Sequence, residues 1–158
     1  MKKKWFLSPD KIYSHINKSR SFYLHFVHTL MKDGKKQVSE KLMNDCFLYI
    51  KRHTLKNPFK VLKRAVLNNR ISVRIQSYRK SGRNILVPVA IKLLRQYSFA
   101  IKRIVEVCDE RREYDYSQRL AKELMDSYLN KGLAIRKRND YYRLVNANKI
   151  NIYFKFGR

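Results

Sequence analysis

A chain of 158 residues can bury one sizeable core, so a single domain is expected. With 44% apolar and 13% aromatic residues it is not a disordered polycation, and its longest apolar runs fall far short of the roughly 18 residues that a membrane span requires. Against 37 Lys and Arg stand only 12 Asp and Glu, and a net charge of +25 calls for a polyanionic partner.

The first residues, Met1-Lys2-Lys3-Lys4-Trp5-Phe6-Leu7, are basic without a long apolar stretch. A secretory signal is therefore not expected, nor a cleavable Arg/Ser-rich presequence. Residues 1–18 read as a basic N-terminal extension and 19–158 as one domain. From Ser19 to Met31, Phe22, Phe26, Val27 and Leu30 recur at helical spacing, and Gly34 is placed to cap the C-terminus. A second helix spans about Gln37–His53, with Val38, Leu42, Met43, Cys46, Leu48 and Tyr49 as inward candidates. Asn57-Pro58 is a matched N-cap and first-turn pair opening a third helix to about Asn69.

The period then changes from helical to alternating. Val73, Ile75 and Ser77 alternate with Arg74, Gln76 and Tyr78; beyond a Lys80-Ser81-Gly82-Arg83 turn, Ile85, Val87, Val89 and Ile91 do the same. This predicts an antiparallel β-hairpin near residues 71–91. Pro88 suits an edge position, because it cannot donate to a ladder. A lone hairpin of this length is marginal in water, which suggests an arm reaching a partner. Helical spacing resumes over Tyr97–Arg111, Ser117–Asn130 and Ile135–Ile150, and the tail through Phe156 is aromatic and basic together. The expected fold is mainly α: a bundle of about six helices with one protruding hairpin.

The charge is unevenly laid out. From Cys46 to Val105, 60 residues contain fifteen Lys and Arg and no carboxylate, while Glu106, Asp109, Glu110, Glu113 and Asp115 cluster just beyond. Apolar residues thread through the acid-free stretch, so it is folded, and its positive face lacks an internal counter-charge. Arg and Lys neutralise phosphates, and aromatic rings stack on unpaired bases. Candidate RNA contacts are Lys2, Lys3 and Lys4; Lys35 and Lys36; Arg70, Arg74, Tyr78, Arg79, Lys80 and Arg83 on the hairpin; Arg95; and Arg136, Lys137, Arg138, Arg143, Asn148, Lys149 and Lys155 near the C-terminus. Tyr141-Tyr142 could either stack on bases or pack inward.

Catalytic signals are thin. His25 and His28 share a helical face, but no Cys or carboxylate completes a metal set. Arg103, Arg111 and Arg112 lie among the clustered acids, so ion pairing accounts for Glu106, Asp109, Glu110 and Glu113 better than a nuclease centre does. No phosphate-cradling glycine loop is present. Cys46 and Cys108 read as reduced core residues rather than a disulfide. No cofactor, metal site or catalytic residue is expected, and the chain is not read as an enzyme. A free DNA- or RNA-binding regulator with a basic helical face is the alternative reading.

Several segments together carry a resemblance. Phe26-Val27-His28-Thr29-Leu30-Met31-Lys32-Asp33-Gly34-Lys35-Lys36 resembles the first-helix signature of the small-subunit ribosomal protein seven family. The hairpin with Val87-Pro88-Val89, Ala100 through Glu106, Arg119-Leu120-Ala121-Lys122-Glu123-Leu124, Asn130-Lys131-Gly132-Leu133-Ala134, and Arg136-Lys137-Arg138 through Lys149 follow in family order. The resemblance implies a helical bundle that binds the 3′ major (head) domain of small-subunit ribosomal RNA and nucleates head assembly. It also implies a hairpin close to the exit-site tRNA and the mRNA exit path, with ribosomal proteins nine and eleven as neighbours. Two departures stand out: Ile71 replaces the proline that usually opens the first strand, and Arg103 replaces a tryptophan, which would make that face wetter or RNA-facing.

Lys, Asn, Ile, Tyr and Phe number 63 against 13 Gly, Ala and Pro, a bias that an AT-rich gene produces. The mitochondrial matrix is the expected location, with a plastid or a bacterial cytoplasm as alternatives.

Overall fold

The computed structural model describes residues 18–80 and 82–153. Helices α1 (Lys18–Leu30), α2 (Lys36–Thr54) and α3 (Pro58–Asn69) precede strands β1 (Val73–Lys80) and β2 (Arg83–Ala90). Helices α4 (Leu93–Asp109), α5 (Tyr116–Tyr128) and α6 (Leu133–Ala147) follow, and then a 3-10 turn over Lys149–Ile152. The architecture is mainly α with one antiparallel hairpin, as the periodicities predict. Among the described residues, no helix is long and apolar enough to cross a membrane.

In α1, Phe22, Phe26, Val27 and Leu30 all turn inward. The connection to α2 needs two consecutive left-handed residues, Asp33 at φ 53° and Gly34 at φ 73°. Nothing lies within 4 Å of a Cβ placed on Gly34, so the backbone angle rather than crowding asks for glycine there. In α2 the buried stripe is Ser39, Met43, Cys46 and Ile50. Val38 and Leu48, expected inside, stand outside that stripe at 56% and 53% exposure. The Asn57 carboxamide oxygen accepts from the Phe59 N–H at 2.9 Å and Pro58 occupies the first turn, as their order predicts.

Helix α5 is central, packing against α2, α3 and α4. Its Leu120, Ala121 and Leu124 are completely buried in the common core with Phe26, Met43, Leu62, Ile101 and Ile104. Cys46 and Cys108 are buried free thiols in this core. Burial pushes both thiols well above their ordinary pKa. Two boundaries differ from the periodic reading by three residues or more. Helix α4 begins at Leu93, not Tyr97, because its first turn carries exposed Leu93 and Leu94 that break the amphipathic pattern. Helix α6 stops at Ala147 and the chain tightens into the 3-10 turn rather than running on to Ile150.

Candidate nucleic-acid interface

The two strands pair from Val73↔Ala90 to Lys80↔Arg83, joined by Ser81-Gly82 with Gly82 at φ 78°. Ile75 lies opposite Pro88, and the Ile75 N–H points away from the ladder to donate to the Tyr141 hydroxyl at 2.8 Å. That pair is therefore one of the non-hydrogen-bonded ones, and Pro88 removes no ladder bond. The Ser72 N–H donates to the Tyr142 hydroxyl at 3.2 Å, and Asn151 Nδ2 donates to the Leu86 carbonyl at 2.9 Å. Outward-facing backbone on both strands is thus covered at the base by α6 and the 3-10 turn. The hairpin is a buttressed arm rather than a lone one, and Val87 and Ile71 are buried at its root. Tyr141 and Tyr142 neither stack freely nor pack as plain core; their hydroxyls fasten the hairpin.

Beyond that base the arm is open. Arg79 and Arg83 are exposed at the tip, and Tyr78 is 39% exposed with its hydroxyl hydrogen-bonded to the Gln76 carboxamide at 3.3 Å. The Lys80 side chain lies outside the described residues. At the root, Arg74, Lys92 and Arg95 converge on a cleft of about 230 Å³ floored by Val89, Ala90 and Ile91. Arg70, ending α3, sits 6.0 Å from the Tyr97 ring centre.

The other candidates are dispersed. Lys35 and Lys36 stand at the start of α2, and Lys35 shares a cavity wall with Val105 and Asp109, at the far end of α4 from Arg95. At 1.5 Å per residue, the fourteen residues from Arg95 to Asp109 separate the two patches by roughly 21 Å. Lys36 pairs with Glu40 at 3.5 Å. On α6, Arg136 is exposed, Lys137 pairs with Glu110, and Arg143 pairs with Asp140 at 2.9 Å. Arg138 donates to the Asn68 carbonyl and to Asn139 Oδ1. Asn148 Nδ2 caps α6 by donating to the Leu144 carbonyl at 2.9 Å, and Lys149 is exposed beside Tyr153. Lys2, Lys3, Lys4 and Lys155 lie outside the described residues.

Arg103 corrects the expectation that its face is wet or RNA-facing. Its half-buried guanidinium donates to the Asn69 carbonyl at 3.3 Å and lies 5.9 Å from the Tyr141 ring. Burial lowers its pKa, opposed by the nearby Glu106 carboxylate. Arg103 and Arg138 together satisfy free carbonyls at the C-terminal end of α3, where cations also oppose the helix dipole. Asn68 and Asn69 complete this knot by donating to the Ser127 carbonyl and Oγ, each at 2.9 Å. Only the doubled Asn at a helix end hints at it in the sequence.

The ion pairs divide the molecule. Among the described residues, every ion pair within 4.0 Å uses a cation outside the acid-free stretch: Lys36, Arg111, Lys122, Lys137 or Arg143. No described cation between Cys46 and Val105 forms one. Arg111, by contrast, reaches Glu123 at 2.5 Å, Asp126 at 3.0 Å and Glu113 at 3.4 Å. Burial lowers its pKa, yet its hydrogen bonds to those carboxylates outweigh this and hold it above its ordinary value. Glu123 is fully buried, and its second oxygen accepts from the Ala134 N–H at 2.9 Å. The acids beyond Val105 include structural partners, as read for Glu110 and Glu113. No group of three or more His, Cys, Asp or Glu among the described residues is placed to hold a metal.

The chain is similar to known proteins over most of its length. The family model described as ribosomal protein S7p/S5e matches residues 2–149. Small ribosomal subunit protein uS7m of Reclinomonas americana is 37% identical over 133 residues, 84% of either chain. Protein uS7 of Magnetococcus marinus is 34% identical over 83% of this chain and 84% of its own. Protein uS7 of Thermus thermophilus is 31% identical over 95% of this chain and 93% of its own.

Proposed function

The chain belongs to the ribosomal protein S7p/S5e family and has a structural role in the small ribosomal subunit, and on that premise we propose that it binds the 3′ major domain of small-subunit ribosomal RNA and nucleates assembly of the head. The observation that carries this reading is the unpaired positive charge: no described cation from Cys46 to Val105 has a carboxylate within 4.0 Å. A fold that keeps so many cations without internal partners gains from an external polyanion, and phosphates in a folded RNA supply it.

In this reading the hairpin, with Tyr78 and the cations at positions 74, 79, 80 and 83, extends to the exit-site tRNA and the path of departing mRNA. The root cleft of Arg74, Lys92 and Arg95 holds backbone phosphate. Lys35 and Lys36 form a separate contact at the opposite end of α4. Ribosomal proteins nine and eleven are the proposed protein neighbours. The proposed location is the mitochondrial matrix, supported by the AT-rich residue bias and the mitochondrial-type relative of Reclinomonas americana. Identifying the genetic compartment of the gene tests that part, and a bacterial chromosome would overturn it.

The direct test of the RNA assignment is crosslinking in purified ribosomal particles. Crosslinks from the hairpin and the α1–α2 connection should fall within the 3′ domain of small-subunit RNA. Recovery of the chain only outside ribosomal particles, or crosslinks confined to other RNA domains, would overturn it.

A further inference from the structure

The acid-free stretch has a second exposed region, remote from the hairpin, at the corner where α2 hands over to α3. Lys51, Arg52, Lys56, Lys60 and Arg64 are exposed there and Lys63 is half-buried. None of the six has a carboxylate within ion-pair distance, though Lys56 Nζ already lies 4.7 Å over the Tyr128 ring. On α3, residues 59, 60, 63 and 64 span an arc of about 140° at 100° per residue, so the ring and three of the cations share one face. Phe59 is 41% exposed and its ring centre lies 5.0 Å from Phe47. Lys51 is one turn beyond Phe47 on the same side of α2.

The fold itself gains little from this arrangement. Lys60 and Arg64, four residues apart, repel each other along an exposed helix face. Leu55 is 91% exposed and holds φ 54°, a left-handed conformation that a leucine adopts only at a cost. An exposed aromatic ring sharing a helix face with cations that lack carboxylate partners matches the way proteins hold unpaired nucleotides: the ring stacks on a base and the cations neutralise flanking phosphates.

We propose that the α2–α3 corner is a second RNA-binding site, in which Phe59 stacks on an unpaired base of a ribosomal RNA loop and Lys60 and Arg64 contact its backbone. The inference rests on the ribosomal RNA reading above and adds a place on the molecule. Phe59 lies eleven residues before Arg70, so α3 sets this site roughly 16 Å from the hairpin root. The protein would grip two separated pieces of RNA at the two ends of one helix.

The test uses the full chain and a transcript of the 3′ major domain. Phe59→Leu keeps an apolar contact on Phe47 and Tyr23 but removes the stacking face. It should weaken binding about 5-fold or more, whereas Phe59→Tyr should retain it. Lys60→Gln with Arg64→Gln, both exposed, should lower the slope of log affinity against log salt by about 1.5. A photocrosslinker at position 59 should attach to RNA. Unchanged affinity and slope in these variants, while Arg79→Gln with Arg83→Gln weakens binding, would overturn the corner site and leave the RNA reading standing. Crosslinking to protein alone would assign the corner to a protein neighbour and overturn it as well. Failure of the unaltered chain to bind the transcript would overturn both.

Discussion

Arg111 and Arg79 carry the same charged group in opposite surroundings. Arg111, just past the C-terminal end of α4, is held by Glu113, Glu123 and Asp126 and is largely withdrawn from solvent. Arg79, on the arm that leads into the other end of α4, is exposed and has no carboxylate within ion-pair distance. The first arginine is part of how the bundle closes: Glu123 links it to the first turn of α6 through the Ala134 N–H. Removing the second would cost the bundle almost nothing. A cation that the fold neutralises is architecture, and one that the fold leaves bare awaits a partner.

That contrast can be broken most forcefully at the arm. Reversing the charge of Arg74, Arg79, Lys80 and Arg83 to Glu should lower affinity for the 3′-domain transcript by on the order of 10²–10³ near 0.1 M salt. The urea midpoint should scarcely move. A variant that unfolds instead would show that the arm contributes to the core. At the other end the signature inverts. Glu123→Ala leaves Arg111 and the Ala134 N–H without their buried acceptor and should cost about 3–5 kcal/mol in urea unfolding. The salt slope of RNA binding should stay the same while the protein remains folded.

The seam between the two regions gives a smaller effect. Tyr141→Phe and Tyr142→Phe each remove the acceptor for one outward backbone N–H of the hairpin base. Each should cost about 1 kcal/mol. Hydrogen exchange should accelerate at Ile75 and Ser72 but not in α5.

The smallest effect is on pH dependence. Burial, with His28 and Lys102 adding to it, lowers the pKa of His25 below its ordinary 6.5. The unfolded chain therefore binds the proton more readily than the folded one. Stability should rise with pH through the window just below 6.5 and fall on acidification. Comparing urea midpoints between pH 5.5 and 7.5 should show a shallower dependence in His25→Gln.

Legibility in the sequence followed local rules. The Asn57-Pro58 cap, the Gly34 turn and the alternation around Gly82 are each set by neighbours in the chain, and each reads directly. Where tertiary contacts decide, the signal fades. Val38 and Leu48 fit a helical apolar pattern but miss the stripe that Met43, Cys46 and Ile50 define against the rest of the bundle. Glu123 sits in an ordinary amphipathic run, and only the fold brings Arg111, twelve residues earlier, onto it. Tyr141 and Tyr142 are seen as aromatics in a basic region, and their use as hydroxyl acceptors depends on a hairpin about 66–70 residues away. The basic patches are legible as composition. Their division into a hairpin set and an α1–α2 set, at opposite ends of α4, becomes visible only in the structure.

The central claim is that bare cations, rather than cations in general, face RNA. The decisive measurement compares salt slopes for binding to the 3′-domain transcript in two triple variants. Arg79→Gln, Arg83→Gln and Arg95→Gln remove three charges near the arm. Lys122→Gln, Lys137→Gln and Arg143→Gln remove three that a carboxylate within 4.0 Å already pairs. The first set should reduce the slope by about 2–3, and the second should leave it unchanged. Equal reductions in both sets would contradict the account, because RNA would then be responding to total charge and not to the uncompensated face.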